Sequence, residues 1–148
     1  MPTPHPHDLL GPLAAAAARA YAPYSGFHVG AVAVAEDGTL YAGANLENAS
    51  YGITICAEVS ALAAANMAGA MGKLAAVAVI GGRPDAAGAL TGDAPVMPCG
   101  RCRQMLFEAG RLSGRDLAIH AFSGDGAQLR TRRISELLPE AFGPDAID

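Results

Sequence analysis

Two stretches of this chain open predicted helices on cysteine: Cys56-Ala57-Glu58, and Pro98-Cys99-Gly100-Arg101-Cys102-Arg103-Gln104. Between them they hold all three cysteines of the protein and one carboxylate. If the three sulfurs are to meet, the fold must bring two helix heads to one place, and that requirement constrains everything else. Each stretch leads through a helix-length segment into an apolar run, residues 74–80 and then 116–122, so the pattern is strand, crossover, strand. Three cysteines cannot pair off, and two of them stand at C-x-x-C spacing. This argues against a secreted disulfide framework and for a reducing compartment.

The remaining elements fall around that pair. Residues 12–20 read as a first helix, with Pro12 tolerated in its first turn and Pro23 closing it. Residues 27–35 are almost wholly apolar after His28 and rich in valine, as in a buried strand. Asp37-Gly38 is a two-residue hairpin signal, returning a second strand over 39–44. The cysteine helices are expected over 56–68, ended by Gly69, and over about 100–109, stopped by Gly110. A long Gly- and Pro-containing loop covers 81–97, a short fifth strand 128–131, and a last helical turn 134–138. The order α-β-β-α-β-α-β-β-α implies a three-layer α/β/α domain with a mixed, about five-stranded sheet. Both crossovers are expected to leave adjacent strands parallel. Residues 1–148 are read as a single domain, with 1–8 a flexible leader.

Three thiolates and a tetrahedral metal select zinc, and three protein ligands leave the fourth position open, as in catalytic rather than structural sites. Helix N-termini favour negative charge, so sulfurs gathered at Cys56, Cys99 and Cys102 are prepared to be thiolates. Glu58 lies in the first turn beside Cys56, and helical side chains tilt back towards the N-terminus, over the metal. A carboxylate there can accept the proton of a zinc-activated water. The simpler readings are a helix-start carboxylate and a thioredoxin-like redox pair in Cys-Gly-Arg-Cys. A structural zinc site needs a fourth ligand, which His5 and His7 in the leader and His28 and His120 in strands do not obviously supply.

Composition excludes several partners. The net charge is −4, and Arg132-Arg133 is the only basic pair, so no basic stripe exists for nucleic acid. No run of eighteen apolar residues occurs, so no membrane span is expected, and a cytoplasmic protein is. Apolar residues make up 51% of the chain and charged ones 16%, with mean hydropathy +0.25. That balance, even allowing for alanine, points to surface buried against further copies of the chain.

Cys-Ala-Glu followed by Pro-Cys-x-x-Cys resembles the signature of zinc-dependent nucleoside and nucleobase deaminases, in the variant with Cys in place of the first His. Tyr24-Ser25-Gly26-Phe27-His28-Val29-Gly30-Ala31, Asn45-Leu46-Glu47-Asn48-Ala49-Ser50-Tyr51-Gly52, Met97 to Gln104 and Leu137-Leu138-Pro139-Glu140-Ala141-Phe142-Gly143 resemble the small homotetrameric cytidine deaminases. The resemblance spans about residues 10–143, in the family's order. It implies one Zn²⁺ per chain on Cys56, Cys99 and Cys102, with Glu58 as proton shuttle. It further implies ribose contacts from Asn45 and Glu47, Phe27 against the cytosine ring, and further substrate contacts from Ala49 and Ala57. Tyr51 and Phe142 would close the pocket across a subunit boundary, in a homotetramer with shared active sites. The implied reaction is hydrolytic deamination of cytidine and 2′-deoxycytidine to uridine and 2′-deoxyuridine, in pyrimidine salvage. Deaminases of other aminopyrimidines, including blasticidin-type antibiotics, share the zinc chemistry but not obviously the ribose loop.

One position departs from the resemblance. Many family members carry Arg directly after Cys-Ala-Glu, where this chain has Val59. Three thiolates on Zn²⁺ leave a net −1, so Arg101, Arg103 or helix N–H groups are expected to take over the compensation.

Overall fold

The computed structural model describes residues 2–148. Along the chain it contains α1 (Leu10–Ala17), β1 (His28–Ala35), β2 (Leu40–Ala44), α2 (Ala57–Met67), β3 (Leu74–Gly82), α3 (Gly100–Ser113), β4 (Ala118–Phe122), β5 (Leu129–Arg133) and α4 (Ile134–Leu137). The strands form one sheet in the order β2-β1-β3-β4-β5. β1 runs antiparallel to both β2 and β3, β3 and β4 are parallel, and β5 is antiparallel to β4. The element order and the mixed five-stranded α/β/α architecture expected from the sequence are those observed.

The apolar runs explain the layering. On β1, Ala31 and Ala33 pack into the core shared with Ala57, Ala61, Leu62 and Leu106 of α2 and α3. The alternate residues Val32 and Val34 pack on the opposite face with Leu13 and Ala17 of α1. A strand covered on both faces has no polar side to alternate with, hence its continuous apolar sequence. Two glycines allow the helices to press this close. A Cβ on Gly30 would lie 2.4 Å from the Leu13 carbonyl oxygen, and one on Gly43 would lie 2.3 Å from the Ala61 nitrogen. The backbones of β1 and β2 therefore meet α1 and α2 almost directly.

Four details differ from the sequence reading. The first crossover does not join neighbours: β2 and β3 are parallel but β1 lies between them, and only β3-α3-β4 gives an adjacent parallel pair. The doubly buried β1 takes the interior place, which leaves its half-exposed hairpin partner β2 at the edge. The hairpin turn has three residues, Glu36 to Gly38, with Gly38 at φ 86° donating to the Ala35 carbonyl at 2.9 Å. That is a turn with a glycine bulge rather than a two-residue loop.

α3 does not stop at Gly110 but continues to Ser113, and Gly114 closes it at φ 63°. The Gly114 and Arg115 N–H groups donate to the Arg111 and Gly110 carbonyls, which caps the last turn. Lastly, part of the segment expected to be a flexible leader has regular structure. Met1 lies outside the described residues, but Pro6–Leu9 form a 3₁₀ turn, with Leu9 buried and the His7 ring edge-on to Phe122. α1 follows directly and ends at Ala17, short of the predicted 20. Among the described residues, no helix is long and apolar enough to cross a membrane.

Candidate active site

The two cysteine segments meet at a cavity that Val29 of β1 also lines. Cys56 is the N-cap residue of α2 and Cys99 that of α3, both extended in backbone, and neither side chain caps its own helix. Their sulfurs are therefore free to point outward while the first-turn N–H groups of both helices leave a positive end nearby. The two Sγ atoms lie 3.8 Å apart, and with Cys102, in the first turn of α3, all three fall within 4.8 Å of one another. Zinc–thiolate bonds of about 2.3 Å in a tetrahedron put sulfurs about 3.8 Å apart, so this donor set fits zinc. No other such cluster of His, Cys, Asp and Glu exists among the described residues, and no histidine joins this one. The fourth tetrahedral position is thus left without a protein ligand.

The sulfurs are electrostatically unequal. The Cys102 side chain beside it holds the Cys56 thiol down to about 6, with Cys99 and the Arg101 charge helping, against burial and the nearby Glu58. Cys102 is pushed up by the neighbouring Cys56 sulfur and by its burial. Glu58, the second residue of α2, is 5% exposed, and desolvation raises its carboxyl above the usual range despite N–H and thiol donors. A carboxyl so placed can hold a proton or release one at modest cost, as acid–base work requires.

A cavity of about 200 Å³ opens onto these groups, lined by Cys56, Ala57, Glu58, Cys99 and Asn45 together with Val29, Thr54, Ile55, Val96 and Met97. An adjoining, more open one of about 350 Å³ is lined by Tyr24, Ser25, Glu47, Tyr51 and Thr54, so Thr54 borders both. The polar loop between β2 and α2 is fixed by paired backbone hydrogen bonds of 2.9 Å between Leu46 and Ile55, and by Tyr21 alongside.

The predicted contact residues divide accordingly. Asn45 and Ala57 line the inner cavity, and Glu47 and Tyr51 the outer one. Asn45 also ties its loop to β1, since its Oδ1 accepts from the Val29 N–H at 2.9 Å and its Nδ2 donates to the Phe27 carbonyl at 2.9 Å. Its second amide N–H is left over. The Ser25 hydroxyl lowers the Glu47 carboxyl most, and its Oε1 also accepts from the Ser25 and Tyr24 N–H groups at 3.1 and 3.0 Å. Phe27 is half-buried, with its ring edge close above Gly81 beside Val29 and Val96. Phe27, Ala49 and Phe142 line neither cavity. Ala49 is exposed, and Phe142 is 62% exposed with its carbonyl held by Gln104 Nε2 at 2.8 Å. Sequence reasoning missed Val29, Thr54, Ile55, Val96 and Met97. Ile55 and Met97 lie directly ahead of the two cysteine motifs, and that adjacency was the available signal.

Of the two arginines expected to replace the missing one, Arg101 reaches towards Cys56. Its Nη2 donates to the Thr54 carbonyl at 3.0 Å. Arg103 instead donates to the Pro98 and Leu137 carbonyls.

Comparison with known proteins points to one family. The family described as the cytidine and deoxycytidylate deaminase zinc-binding region matches residues 7–113. The cytidine deaminase of Mycobacterium tuberculosis strain H37Rv is 43% identical over 137 residues, covering 93% of this chain and 89% of the relative. The crystal structure of cytidine deaminase from Burkholderia pseudomallei is similar at TM-score 0.79 and 40% identity, over 92% of this chain and 98% of that one. The M. tuberculosis crystal structure matches at TM-score 0.67 and 42% identity, over 90% and 93%.

Proposed function

The chain belongs to the cytidine and deoxycytidylate deaminase family, a zinc-binding family, and on that premise we propose that it hydrolyses cytidine and 2′-deoxycytidine to uridine and 2′-deoxyuridine, releasing ammonia. The single observation that carries this reading is the convergence of Cys56, Cys99 and Cys102 with the buried Glu58 on one cavity.

Zinc held by the three cysteines would supply Lewis-acid activation of water at neutral pH. Glu58 does the proton work. Its carboxylate takes a proton from the attacking water and delivers it to N3 of the cytosine ring, which makes C4 electrophilic. The water oxygen adds to C4. Glu58 then carries the second proton to the 4-amino group, the C4–N bond breaks, and ammonia leaves with the C4 oxygen retained as the uracil carbonyl. Burial favours the protonated form of Glu58 that the later transfers need. Ala57, Val29 and Val96 present an apolar wall for the flat ring, with Phe27 packed behind Val29 and Val96. The free Asn45 N–H and the Glu47 carboxylate suit ribose hydroxyls, Glu47 the 3′-hydroxyl.

The apolar surface around the outer cavity supports a homotetramer with shared sites. Tyr21, Tyr24, Leu46, Tyr51 and Ile53 are all exposed there, Tyr24 and Tyr51 with rings edge to face. Phe142, which lines no cavity of its own chain, suits the role of closing the site of a second copy, next to Tyr51 and Ala49. The chain then acts as a single-domain subunit, in the cytoplasm and in pyrimidine salvage. The test is ultraviolet-monitored turnover of cytidine, deoxycytidine, cytosine and blasticidin by the purified protein. Turnover of the two nucleosides with little of the other two supports the reading, and the reverse order contradicts it.

A further inference from the structure

The metal ligands come from two separate segments. Cys56 ends the strip Thr54-Ile55-Cys56, and Cys99 and Cys102 belong to the head of α3. Apart from the thiol contacts Cys56–Cys99 and Cys102–Glu58, the side-chain hydrogen bonds among the described residues join these segments at one point, Arg101 Nη2 to the Thr54 carbonyl at 3.0 Å. We propose that Arg101 is a positioning residue for the metal centre, a latch that fixes the strip bearing Cys56 against the helix bearing Cys99 and Cys102. The inference rests on the zinc reading above.

Two physical arguments carry it. A set of three thiolates binds well only if its sulfurs are held in register before the metal arrives, and a hydrogen bond two residues from Cys56 limits the swing of that sulfur. The guanidinium also brings a positive charge to a centre whose three thiolates and divalent ion sum to −1. Arg103 does not share the role, because its guanidinium is turned to the Pro98 and Leu137 carbonyls and makes no bond to the strip bearing Cys56. Helix N–H groups contribute charge but cannot tie the two segments. Thr54 also borders both cavities, so the same latch positions the strip that separates ring from ribose.

The test compares wild type with Arg101→Gln and Arg101→Lys, and with Arg130→Gln on β5 as a remote charge control. Zinc per chain is measured first, then the rate of zinc transfer to a chromophoric chelator, and the visible spectrum of the cobalt-substituted protein. Circular dichroism of each metal-free variant checks the fold. The latch predicts zinc release about tenfold faster for both Arg101 variants, within the range usual for outer contacts of a metal site, with altered cobalt–thiolate bands. Arg130→Gln should match wild type. Unchanged release in Arg101→Gln overturns the latch. Wild-type behaviour of Arg101→Lys also overturns it, because a point charge would then suffice. A wild type that binds no zinc overturns the zinc reading and the latch with it.

Discussion

Glu58 of α2 and Cys102 of α3 meet across the helix interface, the Cys102 thiol donating to Glu58 Oε2 at 3.5 Å. The proposed proton carrier and a cysteine of the proposed metal site are thus in contact, though 44 residues separate them in the chain. Glu58→Gln keeps the shape of the side chain but cannot take or give the protons of the reaction. Its kcat should fall by about 10²–10⁴-fold or more, with zinc content unchanged. Loss of zinc in this variant would mean that the carboxylate is part of the metal site.

Removing a thiolate should act differently. Cys102→Ala deletes the buried ligand and the neighbouring side chain that lowers Cys56. Zinc per chain should drop well below one, and activity with it. Atomic emission on the dialysed variant decides this, and full zinc occupancy would rule out Cys102 as a ligand.

Glu47 is assigned to the ribose, and its Oε1 is already taken by Tyr24 and Ser25. Glu47→Ala should raise KM for cytidine roughly tenfold, as loss of a hydrogen bond to a charged group does. It should change KM for 3′-deoxycytidine far less. Equal effects on the two substrates would show that Glu47 only orders the Tyr24–Ser25 turn.

Gly43 is a packing position. A methyl group there would sit 2.3 Å from the Ala61 nitrogen and 2.6 Å from the Ala57 oxygen, at the start of the helix that carries Glu58. Gly43→Ala should therefore cost about 1–3 kcal/mol in urea unfolding, the usual range for forced overpacking. An unchanged midpoint would mean that β2 and α2 are not held this close.

His120 gives the fold an acid limit outside the site. Burial, then the charges of Arg133 and His5, hold its pKa below the ordinary 6.5, and its Nδ1 meets Thr131 Oγ1 at 2.9 Å. The fold favours the neutral ring, so its contribution is present above the unfolded pKa and is lost as pH falls below about 6.5. The melting temperature of wild type should drop more than that of His120→Gln between pH 7 and pH 5. Parallel curves would show that His120 does not set the acid limit.

Much of this was legible in the chain because the signals were local. Cys56, Glu58, Cys99 and Cys102 announce themselves by spacing, and the Val-rich run of β1 by its lack of polar residues. What was not legible depends on partners far away in sequence. The extra turn of α3 needed knowledge that Gly110 packs against the Arg115 carbonyl while Gly114 takes the left-handed cap. The place of β3 next to β1 rather than β2 is decided by burial of β1 on both faces. Asn45 was visible as a polar loop residue, but not its bonds to the Val29 and Phe27 backbone. Val29 and Val96 line the cavity as ordinary apolar residues, and no spacing marks them.

The most direct test of the central claim puts wild type and Glu58→Gln side by side, measuring zinc per chain and the ultraviolet change on deamination of cytidine. The expected result is roughly one zinc per chain in both proteins, as a single three-thiolate site holds, and rapid loss of cytidine absorbance with the wild type alone. A zinc-loaded wild type that leaves both cytidine and deoxycytidine untouched would contradict the assignment.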